Sequence, residues 1–405
     1  VFSLDIKRRF QPDDIAKRLI RVGRRDAVDL TLQSGSGYLP FQANLTIGVP
    51  AQVVELLVDL SAGDTWVNVP SSSYCESKSN NCAPFGTYNP DESSTYATVN
   101  NNFSVLYSDG NSVTGAYATD TIRFAGGQTL DGVQFGIALD SNADQGVLGL
   151  GYTKQEYQAY GENKQPYSNF PQLLVDQGVI KSNAYSLWLN DLSSGIGSIL
   201  FGGVDSDKYT GPLRTIPITS QGGTQANLLV SLTDLRFGDT AILTKGNITV
   251  AVDASTRYTV LPDNITSTIL ALVGATKYDV NASLWSIDCD QANNQTTLDF
   301  TLSWPTVNVS LAELVIHQYG SKGNVECFFG IVNGSEPYVL GDTFLSSTYL
   351  VHNLDNNEMS FAQTNFNSTS QNILQITPGK NGVPGAVGSP HTTSTSVTST
   401  GTSAS

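Results

Sequence analysis

Two stretches of this chain repeat one another. Val58-Asp59-Leu60-Ser61-Ala62-Gly63-Asp64-Thr65-Trp66-Val67 and Val252-Asp253-Ala254-Ser255-Thr256-Arg257-Tyr258-Thr259-Val260 each place an Asp directly after an apolar run, 53–58 in one and 248–252 in the other. Each run reads as a buried strand that delivers its Asp into a turn of small residues, and an apolar strand leads away. A second repeat marks the same duplication: Val147-Leu148-Gly149 follows Asp59, and Val339-Leu340-Gly341 follows Asp253, at nearly equal distance. A chain patterned in this way is expected to fold as two related halves that each contribute one carboxylate. With 405 residues it has room for two large lobes, each with a sizeable core.

From about residue 29 the sequence runs as short β-rich segments broken by Gly, Asn, Asp, Ser and Pro, the texture of an all-β fold. Residues 38–47 and 52–58 read as a hairpin turned at Gly48-Val49-Pro50. Residues 103–115 alternate around Asp109-Gly110, a strong hairpin signal. Helical spacing is confined to short stretches, 171–178 and 265–273, and a last hairpin joins 349–355 to 359–362. The two ends differ from this body. Residues 1–25 carry Lys7, Arg8, Arg9, Lys17, Arg18, Arg21, Arg24 and Arg25. Within them Phe2-Ser3-Leu4-Asp5-Ile6 alternates like a strand and 13–22 has helical spacing. Beyond Pro378 the chain turns to Gly, Pro, Ser and Thr with almost no large apolar residues, which predicts a disordered Ser/Thr-rich tail over 378–405.

A net charge of −15 and a pI near 4.5 argue against nucleic acid, which needs a basic face. The basic first segment is held electrostatically to so acidic a body. Cys75, Cys82, Cys289 and Cys327 leave three disulfide connectivities open; proximity favours Cys75–Cys82 and Cys289–Cys327, one per half. Zinc is the competing use. Neither pair has Cys-x-x-Cys spacing, however, and His317, His352 and His391 do not complete a ligand set. Disulfides imply an oxidising compartment. Sequons at Asn44, Asn102, Asn247, Asn264, Asn281, Asn294, Asn308, Asn333 and Asn367 point the same way, to a glycoprotein that is secreted or held at the cell surface. No stretch is long and apolar enough to span a bilayer.

Further segments join these repeats: Trp66, Tyr88-Asn89-Pro90-Asp91-Glu92-Ser93-Ser94-Thr95-Tyr96, Tyr107 ahead of Asp109-Gly110, and Gly202-Gly203-Val204-Asp205 with Lys208-Tyr209-Thr210-Gly211. Together they resemble the pepsin-like aspartic proteases of the fungal secreted, yapsin-like type, over residues 39–361. The resemblance implies a mostly β, bilobal double β-barrel with pseudo-twofold symmetry and a cleft between the lobes for a polypeptide substrate. It implies a basic propeptide over 1–25 acting as intramolecular inhibitor and processed at Arg24-Arg25, an N-terminal lobe over 26–215 and a C-terminal lobe over 216–377. Asp59 and Asp253 take the place of the catalytic pair, Tyr107 and Asp109 that of the flap over the substrate, and Trp66 and Thr256 that of supports beside it. No cofactor or metal is implied, and the enzyme is expected to act as a monomer.

Peptide hydrolysis by two carboxylates requires them to lie close enough to share a proton, so that one pKa rises and the other falls. The ionised Asp then serves as base toward a water, and the protonated one donates to the carbonyl oxygen. The motifs depart from the family's Asp-Thr-Gly, reading Asp-Leu-Ser and Asp-Ala-Ser. Leu60 and Ala254 cannot form the reciprocal hydrogen bonds of the family's paired Thr. Ser61 and Ser255 add side chains where Gly usually stands, and Ala62 replaces a supporting Ser. Arg257, if aimed at the pair, favours both carboxylates ionised. Two expectations result: an acid endopeptidase, or alternatively a pepsin-like protein that binds polypeptides without cleaving them. Other chemistries lack their signatures, with no Gly-x-Ser-x-Gly elbow and no His-Glu-x-x-His. Gly126-Gly127 reads as a turn rather than a phosphate-binding loop.

Overall fold

The computed structural model describes residues 1–8, 40–76, 81–107, 112–124, 129–160, 165–221, 224–244, 246–275, 277–280, 282–319 and 324–388. The strand Gln52–Asp59 lies parallel to Val147–Gly149 with Asp59 opposite Gly149, and Trp66–Asn68 packs on the other side of that short strand with Trp66 opposite Val147. The second half repeats the arrangement. Ile248–Val252 runs parallel to Tyr338–Leu340, and Thr259–Leu261 lies beyond it with Val260 opposite Val339. In each half the loop after the Asp therefore crosses the end of a central apolar-apolar-Gly strand. Only glycine fits beneath that crossing: a Cβ on Gly149 would stand 2.4 Å from the Asp64 carbonyl oxygen, and one on Gly341 2.3 Å from that of Thr256.

The molecule is mostly β and bilobal. In the first half Phe41–Ile47 pairs with Gln52–Asp59, and Ser112–Arg123 pairs with both Ala97–Leu106 and Thr129–Ser141. Contact between Phe41–Ile47 and Ser112–Arg123 closes these strands on one another. The same fourteen-stranded sheet continues through Ile196–Phe201 and Ala184–Trp188 to the hairpin Thr348–Asn353 and Glu358–Thr364, which joins the halves through one hydrogen-bonded layer. The second half adds a six-stranded sheet holding Ile248–Val252 and two four-stranded sheets. Helices are short: Phe170–Asp176, capped by Asn169, and Asp263–Val273, ended by Gly274 at φ 75°.

The N-terminal segment is part of this sheet. Phe2–Arg8 buries alternate residues and pairs antiparallel with Ile196–Phe201 on one side and Phe41–Ile47 on the other. The helical spacing at 13–22, Arg24-Arg25, Asp109-Gly110 and Gly126-Gly127 fall outside the described residues.

The expected disordered tail needs correction at its start. Within it Ala386–Gly388 pairs parallel with Tyr209–Pro217, while just ahead of it Ile373–Gln375 pairs with Gly203–Asp205. Ile376 and Val383 are buried in a satellite core with Ala184, Trp188, Val204, Leu213 and Tyr349. Composition misled here because two apolar residues suffice to seat a strap when the sheet beneath already presents an apolar face. Residues 389–405 lie outside the described residues. The cysteines are joined as Cys75–Cys82 and Cys289–Cys327. Among the described residues no helix is long and apolar enough to cross a membrane.

Candidate active site

Asp59 closes the first strand and Asp253 follows the second, and both are largely buried, at 7% and 8% exposure. The turn after each Asp folds back over its own carboxylate. Oδ1 of Asp59 accepts hydrogen bonds from the backbone N–H of Ser61, the Ser61 hydroxyl and the N–H of Ala62, each at 2.8 Å. At Asp253, Oδ1 accepts from the Ser255 N–H at 3.1 Å, while Oδ2 accepts from the Ser255 hydroxyl at 2.5 Å and the Thr256 hydroxyl at 3.4 Å. Burial first, and then the charge of Asp59, push Asp253 up to about 7; the Ser255 donors and the backbone N–H of Leu60 work against them. The Leu60 contact joins the loops, since it brings the backbone of one to the carboxylate of the other.

The departures from Asp-Thr-Gly are accommodated locally. Leu60 and Ala254 are fully buried in the main apolar core beside Val58 and Val252. Of the two directions left open for Arg257, the structure shows contacts away from the pair. Its Nη1 donates to Tyr258 Oη at 3.0 Å, its guanidinium lies 5.4 Å over that ring, and its charge is felt at Asp342.

Trp66 and Tyr107 are brought together, the indole Nε1–H donating to the Tyr107 hydroxyl at 2.7 Å. Trp66 packs with Phe103, Val113, Tyr117, Ala138 and Val147, so the hairpin that carries Tyr107 is seated on the strand just after the first Asp loop. Asp109 lies outside the described residues. The disulfide pairing leaves no thiolate at the second cysteine pair: His317 lies beside Cys289 and Cys327, whose sulfurs are bonded to each other.

Sequence reasoning missed three groups around the pair. Asp64 Oδ1 accepts from the hydroxyls of Tyr117 and Tyr167 at 2.9 and 2.8 Å, and its Oδ2 accepts from the Tyr157 N–H at 2.6 Å. Beside it Glu156 is fully buried, accepts from the Tyr167 N–H at 2.8 Å, and is pushed up to about 9 by burial. The Tyr185 hydroxyl and His352 Nδ1 are 2.8 Å apart, on residues that face each other across two strands. Tyr185 is raised well above its ordinary range by burial, and Tyr152, Asp253 and Asp59 add to that shift; burial pushes His352 down to about 3, so its ring is neutral. Arg8 and Asp342 form a 2.8 Å ion pair with both side chains inaccessible, directly after Gly341. Burial raises Asp342 to about 6 against the pull of Arg8. No local signal marked these groups, because each partner lies far away in sequence or in the opposite half.

The model of the family described as "Eukaryotic aspartyl protease" matches residues 40–364. The chain is 39% identical over 395 residues to a probable aspartic-type endopeptidase opsB of Aspergillus fumigatus, covering 95% of this chain and 81% of that one. It is 34% identical to a secreted aspartic protease 8 of Candida albicans, over 82% of this chain and 77% of the relative. Among solved structures, the aspartic proteinase of Irpex lacteus superposes with a TM-score of 0.66 at 23% identity, covering 84% of this chain and 100% of that one, a likeness of fold.

Proposed function

The chain belongs to the eukaryotic aspartyl protease family and is an aspartic endopeptidase; on that premise we propose that Asp59 and Asp253 are its catalytic pair, working at acidic pH on an extended polypeptide between the lobes. The observation that carries this reading is two buried carboxylates in equivalent loops, with Asp253 raised to about 7 by burial and by the charge of Asp59. At acidic pH one carboxylate is then ionised while its neighbour holds a proton. The ionised group takes a proton from a water whose oxygen bonds to the scissile carbonyl carbon, and the protonated group donates to the carbonyl oxygen. Collapse of the tetrahedral diol breaks the C–N bond: the pair gives one proton to the leaving amine and takes one from a diol hydroxyl, which re-forms the carbonyl and restores the starting protonation. Both protonation steps belong to the pair rather than to either residue. Tyr107, hydrogen-bonded to Trp66, is the side chain that closes over the substrate, and Thr256 steadies Asp253.

The rival reading, binding without cleavage, drew on the missing Thr hydroxyls. Both positions are apolar and core-buried, so neither leaves a hydroxyl without its mate. We assign residues 1–25 as a prosegment, 26–215 and 216–377 as the lobes, and the oxidised cysteines and sequons as marks of a secreted glycoprotein. N-terminal sequencing of the product released by an expressing cell tests the first assignment; a mature protein beginning at Val1 counts against it.

The deciding experiment is cleavage of a denatured protein across acidic pH by the folded, processed chain. Activity is expected, inhibited by a statine-containing peptide and lost in Asp59→Asn and in Asp253→Asn. Undiminished cleavage by either variant would sink the assignment of the pair. Absence of cleavage by the unmutated protein would favour the binding reading.

A further inference from the structure

We propose that Ser61 and Ser255 are positioning residues for the carboxylate pair, their hydroxyls fixing from within each loop an orientation that no side-chain hydroxyl at 60 or 254 is present to fix between the loops. The proposal rests on the reading of Asp59 and Asp253 as the catalytic pair. A carboxylate turns easily about its last torsion, since that sp³–sp² rotation is broad and two-fold. A single donor on one oxygen leaves part of this freedom in place. Ser255 removes it at Asp253 by holding both oxygens at once, with its N–H on Oδ1 at 3.1 Å and its hydroxyl on Oδ2 at 2.5 Å. Turning the carboxylate breaks at least one of the two contacts. At Asp59 the Ser61 hydroxyl converges with two backbone N–H groups on Oδ1, all at 2.8 Å, and Oδ2 stands outside this set of donors. One oxygen is thereby a saturated acceptor and the other is left for proton exchange.

The choice of a hydroxyl matters as much as its position. A backbone N–H only donates, so it favours the ionised carboxylate and cannot accept from the O–H of the acid. A hydroxyl donates to a carboxylate and accepts from a carboxylic acid. As the shared proton moves between the two Asp during turnover, Ser255 keeps its contact with Asp253 in either state. The 2.5 Å separation is the length of an O–H···O bond with a charged partner. Both serines meet their carboxylate although the two loops differ at every other position from 60 to 64 and 254 to 258, so the contact is not a by-product of one shared loop sequence. Leu60 and Ala254, packed in the core, hold the loops apolar side inward but contribute no hydrogen bond from their side chains.

The test compares Ser61→Ala, Ser255→Ala and the corresponding Gly variants with the unmutated enzyme, reading kcat, KM and the pH profile on a peptide substrate. Losing a hydrogen bond to a charged group is expected to lower kcat by about 10-fold or more at each site, with KM within about twofold. In the Ser255 variants the alkaline limb of the profile is expected to move to higher pH, because removing a donor to the ionised form of Asp253 raises its pKa further. Ala or Gly variants that fold and match the unmutated enzyme in kcat would overturn the proposal, as would a fall in kcat in the Ser255 variants with that limb unmoved. The Gly variants guard against a folding failure of the Ala ones, because they carry the residue the family usually has there. Asp59→Asn and Asp253→Asn in the same assay separate the two levels. If they abolish activity while the Ser variants are unchanged, only the positioning role falls; if they remain active, the catalytic pair falls and this role with it.

Discussion

Leu60 and Ala254 sit at the centre of motifs that elsewhere carry Thr, yet the carboxylates beside them keep a full set of donors from Ser61, Ala62, Ser255 and Thr256. The change is tolerable because both partners of the former hydrogen-bond pair are replaced together, which leaves no buried polar atom orphaned. Tyr107 is a different kind of residue, which takes a directional contact from Trp66 Nε1 at 2.7 Å. Tyr107→Phe removes that contact and leaves a buried indole N–H without its acceptor. It is expected to lower kcat/KM by about tenfold on one peptide substrate and to lower the thermal midpoint by a few degrees. Asp59 and Asp253 were singled out by the duplicated pattern, and Trp66, Tyr107 and Thr256 by the resemblance to the family. Tyr185 and His352 were not. They meet only because two strands far apart in sequence pair in a register that sets them opposite each other.

The recurring element is an Asp-bearing loop laid across an apolar-apolar-Gly strand, and the sequence disclosed it because the close approach forbids a Cβ at Gly149 and Gly341. The strand Phe2–Arg8 was half legible. Its alternation foretold a strand, but nothing local foretold that Arg8 would end against Asp342 with both side chains inaccessible. Arg8→Met in the full chain leaves Asp342 as an uncompensated buried charge. It is expected to destabilise by about 3 kcal/mol, whereas Arg8→Met with Asp342→Leu recovers most of that loss. Denaturant midpoints of the four proteins in the cycle check this, and a loss in the double variant equal to the sum of the two single losses would show that the pair has no net coupling. The stretch 378–388 was misjudged for a related reason: what orders it is the apolar face of other strands, which its own composition does not reveal.

Among the described residues every shifted carboxyl but Asp120 moves the same way, upward. Burial raises Glu156 to about 9, Asp253 and Glu313 to about 7, and Asp342 to about 6, and it raises Asp64 as well. A carboxyl whose pKa is higher in the folded state binds its proton more tightly there. Its contribution is fully present below the unfolded pKa and is lost as pH climbs to the folded one. For Glu156 that window runs from 4.5 to about 9, with about 1.4 kcal/mol lost per pH unit inside it. The fold is therefore expected to be most stable in acid and to weaken toward neutrality. Glu156→Gln, which stays neutral at every pH, is expected to gain stability relative to the unmutated protein at neutral pH and not in acid. Urea midpoints at the two conditions measure it, and a gain of equal size in both would refute the linkage.

By itself the sequence determined the two-fold plan, the β texture, the location of both carboxylates and the favoured disulfide pairing, because each is written in residues close together or repeated at a fixed interval. The tertiary structure alone decided which way Arg257 turns, that Arg8 is buried against Asp342, that the strap is ordered, and that Ser61 and Ser255 take up the carboxylates. Those outcomes depend on which strands become neighbours and on how far water is excluded between them. Charge, hydrogen bonding and pKa in a buried site follow the atoms within a few ångströms, and the order of residues along the chain does not list those atoms.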